Sequence, residues 1–169
     1  MKNSTPTSHP RPVITQAENN TTLWIGHLQT DSTDHFAGQT FTCPTAGKLD
    51  NIQVYSATVH SPGDVTMTLH EFDPRNKTWG PSLGTSTQSI RKGDDAKWIR
   101  FGLPPVPFHK DGTYGFRLKA TEGLIGIGEA ATGTKQPFTF GHEWNGDSQD
   151  HKGHYFSYFS LAFKVEMCA

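Results

Sequence analysis

The stretch Tyr155-Phe156-Ser157-Tyr158-Phe159-Ser160-Leu161-Ala162-Phe163-Lys164-Val165-Glu166-Met167 decides the fold class. Tyr155, Ser157, Phe159, Leu161, Phe163, Val165 and Met167 alternate with Phe156, Tyr158, Ser160, Ala162, Lys164 and Glu166. Successive side chains of an extended strand point to opposite faces, so this period of two predicts one long final strand with an apolar face and a mixed face. The apolar set, Phe159, Leu161, Phe163 and Val165, belongs to a core. Phe156 and Tyr158 fall on the other face, as a binding surface or as hidden packing.

Other segments repeat the pattern. Gln39 to Cys43 alternates, Pro44 to Gly47 turns, and Lys48 to Tyr55 continues with Leu49, Ile52 and Val54 as core candidates. Ser61 to Asp64 turns into Val65 to Phe72, whose inward set is Val65, Met67 and Leu69. Asp73 to Thr78 has strong turn chemistry, and further strands are expected over 82–90, 98–103, 113–118, 124–127 and 138–140. Pro104, Pro105 and Pro107 bar a regular ladder after Leu103. Residues at helical spacing are lacking, so a single helical turn in a loop is all the pattern allows. With 17 Gly, 11 Pro and only 18 % charged residues among 169, the balance favours short strands joined by turns. The expectation is an all-β, single-domain antiparallel sandwich of about nine strands spanning residues 37–169. Residues 1–36 are read as a polar N-terminal arm, anchored by the apolar patch Leu23-Trp24-Ile25.

Fifteen basic and sixteen acidic side chains leave a formal net charge of -1, so no global field attracts nucleic acid or an anionic membrane. An apolar run long enough for a secretory signal or a membrane span is also lacking; the protein stays where it is made, or a leader has been removed. Asn3, Asn19, Asn20 and Asn76 open glycosylation-type triplets that matter only in a glycosylating host. Cys43 and Cys168 lie near the two ends of the predicted sandwich, where terminal strands can meet, and could pair or remain thiols.

Gly38 to Phe41, Lys48 to Val54, Asp64 to Glu71, Lys97 to Leu103, Asp111 to Phe116 and Ser160 to Val165 come in a familiar order. In strand pattern and turn placement they resemble the galactose-binding-like jelly-roll β-sandwich domains found among bacterial carbohydrate-binding modules, over roughly residues 37 to 167. That resemblance implies a jelly roll, glycan binding or a spacer role, a structural calcium in many members, and an extracellular or cell-surface setting.

Candidate chemistry follows from side-chain type. Sugars stack their apolar faces on aromatic rings while polar groups fix orientation. Trp98, Trp144 and Tyr158 are therefore read as stacking residues, with Arg100, Glu143 and Asp147 supplying hydrogen bonds. The segment His142 to His154 is long and polar, and reads as a solvated loop or as a ligand or metal loop. Its Glu143, Asp147 and Asp150 could give calcium oxygen ligands, and His142, His151 and His154 could hold a transition metal. Its spacing matches neither an EF-hand loop nor a His-Glu-x-x-His helix. Glu71 and Asp73 could form a carboxylate pair for glycoside hydrolysis, although acidic residues beside Pro74 also initiate turns. Gly-x-Ser-x-Gly, phosphate-loop and His-x-His patterns are lacking. The leading reading is a non-catalytic carbohydrate-binding module. A structural or adhesive module that meets a protein or a second copy of itself is the alternative, and a small glycoside-active hydrolase is the third.

Overall fold

The computed structural model describes residues 9–27, 30, 33–120, 122–133 and 136–168. Asn3 lies outside them. The described chain is built from β-strands, with one short 3-10 turn at Lys92–Asp94 in the polar bend before Lys97. The strands are β1 (Arg11–Gln16), β2 (Thr21–His27), β3 (Asp34–Thr42), β4 (Gly47–Ser61), β5 (Gly63–Asp73), β6 (Thr78–Ile90) and β7 (Lys97–Gly102). After them come β8 (Pro107–Phe108), β9 (Thr113–Ala120), β10 (Leu124–Ala131), β11 (Glu143–Asp147), β12 (His154–Phe156), β13 (Phe159–Leu161) and β14 (Phe163–Cys168).

All are antiparallel members of one sheet, whose main path runs β1-β14-β4-β10-β2-β3-β9-β5-β6. β7 and β8 flank β4, β13 flanks β10, and the β11–β12 hairpin extends β3. Strand twist and bulges curl such a sheet. Register shifts occur where β10 meets β4, at Leu124/Ile125 and Gly126/Ile127, and where β5 meets β6, at Leu69/His70. The curl brings β14 across from β3 and β9, so that Phe163 packs on Phe41 and Phe116 at ring-centroid distances of 6.0 and 5.8 Å. Ile52, Val54, Val65, Met67, Leu69, Phe101 and Val165 complete the buried interior of this single-domain sandwich.

Three expectations are corrected. The segment read as a polar arm supplies two strands. β2 pairs with β10 over six positions and then with β3 through Gly26 and His27, so it links the two halves of the sheet. Gly26 has φ +113°, and a side chain there would strike the Gly123 carbonyl; the crossing between halves needs a residue without a Cβ. β1 is an edge strand on β14, where Pro12 is tolerated beside a bulge. Pro12 in β1, and in β2 an apolar patch only three residues long that ends at Gly26, disguised both strands.

The final alternation is also not one strand. The chain bends at Ser157-Tyr158 and again at Ala162, so β12 pairs with β11, β13 with β10, and β14 with β1 and β4. Ser160 to Phe163 are buried on both faces at this corner, and Phe159 is only half-buried. Third, Phe138 to Phe140 forms no strand, although the Phe140 carbonyl accepts the Thr42 amide at 2.8 Å and its ring packs on Phe163. The cysteines remain thiols. Cys43 donates to the Thr45 carbonyl at 3.1 Å, and burial pushes its thiol up.

The depth of Phe163 and the exposure of Tyr158, 43 %, make opposite demands on stability. Phe163→Ala should cost about 3–5 kcal/mol, as expected for a buried ring. Tyr158→Ala should cost less than about 0.5 kcal/mol. Urea denaturation followed by circular dichroism measures both, and a Phe163 variant as stable as the parent would contradict this packing.

Candidate functional site

The register of the sheet sets out the site. Tyr155, Trp144, Gly38, Arg117, Thr68 and Thr85 lie in one transverse row across β12, β11, β3, β9, β5 and β6. These residues share the outer face of the sheet, away from Phe116 and Leu118, because neighbours in a strand alternate. Two glycines make this face receptive to large rings. A Cβ on Gly38 would sit 3.1 Å from Trp144 Cε3, and one on Gly115 would sit 2.7 Å from Trp79 Cζ3. The two indoles therefore lie directly against the backbone.

Trp79 and Trp144 meet edge to face at 5.7 Å, and Phe72 and Tyr155 join them, with Phe72 5.1 Å from Trp79 and 5.7 Å from Tyr155. The Trp79 indole donates to the Tyr155 hydroxyl at 2.9 Å, and Trp144 Nε1 donates to the Lys152 carbonyl at 2.8 Å. The guanidinium of Arg117 lies 4.8 Å from the Trp79 ring and 5.7 Å from that of Trp144. His70 sits beneath. Its Nδ1 bonds the Gly80 carbonyl at 2.9 Å and so carries the proton, leaving Nε2 to accept from Thr68 Oγ1 at 2.9 Å. Burial lowers the His70 pKa, and the nearby Arg117 charge acts in the same direction.

Beside this cluster opens a cavity of about 360 Å³. Trp144 and Phe36 give it ring surface, Arg117 and Lys119 give it positive charge, and Thr66 and Thr68 give it hydroxyls. His151 forms a wall, stacked on Phe36 at 6.4 Å and 22°. A second cavity of about 230 Å³ also touches Phe36, and is lined by Trp24, Asn145, Asp147, Asp150 and His154. Its charge is of the opposite sign.

The predicted site residues do not form one surface. Trp144 lines the first cavity, but it is 2 % exposed and its ring is occupied by Trp79 and Arg117. Trp98 lies on β7, on the outer face of the other half of the sheet, edge-on to Tyr55 at 5.4 Å with the Lys164 ammonium 4.1 Å from its ring centre. Arg100 is committed to Asp50 at 2.8 Å. Tyr158 is exposed at a bend where its carbonyl accepts the Thr132 amide.

The segment His142 to His154 is a hairpin turn rather than an open loop. Asp147 Oδ1 accepts the Gln149 and Asp150 amides at 2.8 and 2.7 Å, and Asp150 Oδ1 accepts the Gly153 amide at 3.2 Å. These carboxylates order the turn. Asp150 Oδ2 lies 3.4 Å from His154 Nε2, while His151 is turned to Phe36. Among the described residues, no group of three or more His, Cys, Asp or Glu side chains comes together to hold a metal ion. Asp73 likewise orders its turn, accepting Arg75 and Asn76 amides at 3.0 and 3.3 Å, and the Asn76 side chain holds its pKa below the ordinary value.

Glu143 points the other way from Trp144. It is 1 % exposed, shares a hydrogen bond with the buried Glu129, and leaves Oε1 without a protein partner. Burial first, then the Glu129 carboxylate, pushes its pKa up to about 10. At neutral pH Glu143 is a protonated acid donating to Glu129. Sequence reasoning missed Phe36, Thr66, Thr68, Arg117 and Lys119. The available signal was the alternation of Phe36 with Gly38 and of Gly115 with Arg117 and Lys119, which joins aromatic, basic and glycine residues on the outward face of two strands.

No family model matches the sequence, and no curated protein matches it. Solved structures do share the fold. A clostridial cysteine protease, Cwp84 after propeptide cleavage, superposes with a TM-score of 0.64 at 10 % identity, over 98 % of this chain and 42 % of that one. The cysteine protease and lectin-like domains of Cwp84, a surface layer associated protein of Clostridium difficile, superpose with a TM-score of 0.54 at 9 % identity, over 90 % and 37 %. This chain thus spans less than half the length of either structure.

The buried acid has a signed consequence. The unfolded carboxyl titrates near the ordinary Glu value of about 4.3, whereas the folded one holds its proton to about pH 10. Glu143 therefore favours the fold fully below about pH 4 and progressively less as pH rises toward 10, with a limiting slope of about 1.4 kcal/mol per pH unit. Glu143→Gln should flatten this decline and raise the melting temperature at pH 8 above that of the parent. Thermal unfolding from pH 5 to 9 measures it; parallel curves would contradict the neutral assignment.

Proposed function

We propose that this domain is a non-catalytic carbohydrate-binding module of the galactose-binding-like jelly-roll kind, and that it takes saccharide in the cavity between Trp144 and Phe36. The observation that carries this reading is the juxtaposition of ring surface, hydroxyls and a guanidinium on a glycine-floored outer face. Apolar surface meets the C–H face of a pyranose, and convergent polar groups select its orientation. The groove is held in shape before any ligand arrives, because His70, Tyr155 and the Asp147 turn fix its walls. Preorganisation lowers the ordering cost of binding. The lectin-like description of one structural neighbour supports the same reading, as does the surface location named for that protein.

The residues proposed from sequence are redistributed accordingly. Trp144 remains in the site, as floor and wall rather than lid. Phe36, Arg117, Lys119, Thr66 and Thr68 take the places given to Trp98, Arg100 and Tyr158. Asp147 contributes by holding the turn that carries His151.

A glycan array should show at least one saccharide bound at millimolar concentration or better. Phe36→Ala should abolish that signal with an unchanged circular dichroism spectrum. Failure of every saccharide, or binding indifferent to Phe36, would remove the reading.

A second reading, an adhesive interaction module, rests on the two exposed large side chains Trp24 and Tyr158, 37 % and 43 % accessible. It requires a concentration-dependent dimer that is lost on Tyr158→Ala. Light scattering across a dilution series decides the matter, since a monomer at every concentration excludes self-association.

A further inference from the structure

Arg117 is half-buried on the outer face of β9, yet among the described residues neither it nor Lys119 has a carboxylate within ion-pair distance. Its polar protein contact is with His70 Nε2, at 3.4 Å, while two indoles lie against the guanidinium. A cation withdrawn from water without a counter-charge is costly, and burial lowers the Arg117 pKa. Lys119 stands two residues on, 5.4 Å from the Phe36 ring, and His151 closes the opposite wall. The groove thus gathers positive charge in a protein whose overall charge is near zero.

We infer that the groove selects saccharide units bearing a carboxylate, placing the pyranose face against Phe36 beside the edge of Trp144 and the carboxylate at Arg117 and Lys119. A guanidinium is a planar fork that matches a carboxylate in two parallel hydrogen bonds, and such charge-assisted bonds are about twice as strong as neutral ones. On a uronate ring the carboxylate projects from the edge of the pyranose, so one sugar unit can meet ring surface and guanidinium together. Thr68 donates its hydroxyl hydrogen to His70 Nε2, so toward the ligand it acts as an acceptor for a sugar hydroxyl. The acidic character of the second cavity, with Asp147 and Asp150, repels the carboxylate and favours one orientation of a longer chain.

This inference rests on the carbohydrate reading above. Its test is titration calorimetry with tetragalacturonate and with the same tetrasaccharide as its neutral methyl ester, at low and at about 0.5 M salt. The uronate should bind at least about tenfold more tightly than the ester at low salt, and the difference should shrink as salt screens the charges. Lys119→Gln, at an exposed position, should weaken uronate binding several-fold more than it weakens binding of the ester. Arg117→Lys should keep the charge but lose most of the preference, with near-ultraviolet circular dichroism checking that Trp79 and Trp144 have not shifted. Equal affinity for uronate and ester would overturn the selectivity alone. Binding of neither would overturn the uronate selectivity, while the carbohydrate reading falls only if every saccharide on the array fails as well.

Discussion

Everything on the outer face depends on a contact in the interior. Phe163 of β14 packs on Phe41 of β3, Phe116 of β9 and Phe140 at centroid distances between 5.7 and 6.0 Å. These rings join the two halves of the curled sheet, and they fix the height and tilt of β3 and β9. Because neighbouring residues alternate, pinning Phe116 and Phe41 inward pins Gly115, Arg117 and Lys119 outward. A slip of one residue in either strand would bury the cations and expose the rings. The groove is in this sense the reverse side of the core.

The outer face then solves a second packing problem. Trp79, Trp144, Phe72 and Tyr155 form a satellite cluster, sealed by Arg117 and floored by glycine. Trp144, read from sequence as a stacking residue, is thereby largely consumed as structure. What remains accessible is the margin of the cluster, where one edge of Trp144, the Phe36 ring and two uncompensated cations meet water. The proposed saccharide contact is left to that margin.

The fold class was legible because alternation is a strong signal wherever one face is buried; Val65 to Phe72 and Phe163 to Met167 behave as read. Strand identity was less legible. Tyr155 to Met167 kept its period through two bends because each short piece preserved the parity of the last, and the corners show only in the change of pairing partner from β11 to β10 to β1 and β4. β2 and β11 escaped notice for the opposite reason. β11 carries polar side chains inward, where Glu143 survives burial by keeping its proton, and β2 showed only the short apolar patch Leu23-Trp24-Ile25 before Gly26 breaks the alternation. The site was least legible, since Phe36, Thr68, Arg117 and Trp144 are far apart along the chain and become neighbours only through register. Trp98 and Arg100 met the same chemical criteria, but the sheet places them on the far side, where Lys164 and Asp50 already engage them.

The transverse row from Tyr155 through Trp144, Gly38, Arg117 and Thr68 to Thr85 draws on six strands from nearly the whole length of the chain. Its members stand together only when these strands are paired in the closed sheet, so the row exists only in the folded domain. A ligand spanning that row would act as a clasp across the sheet, bound only by the intact fold and raising its unfolding free energy by mass action. Occupancy of the groove would then report the integrity of the whole domain.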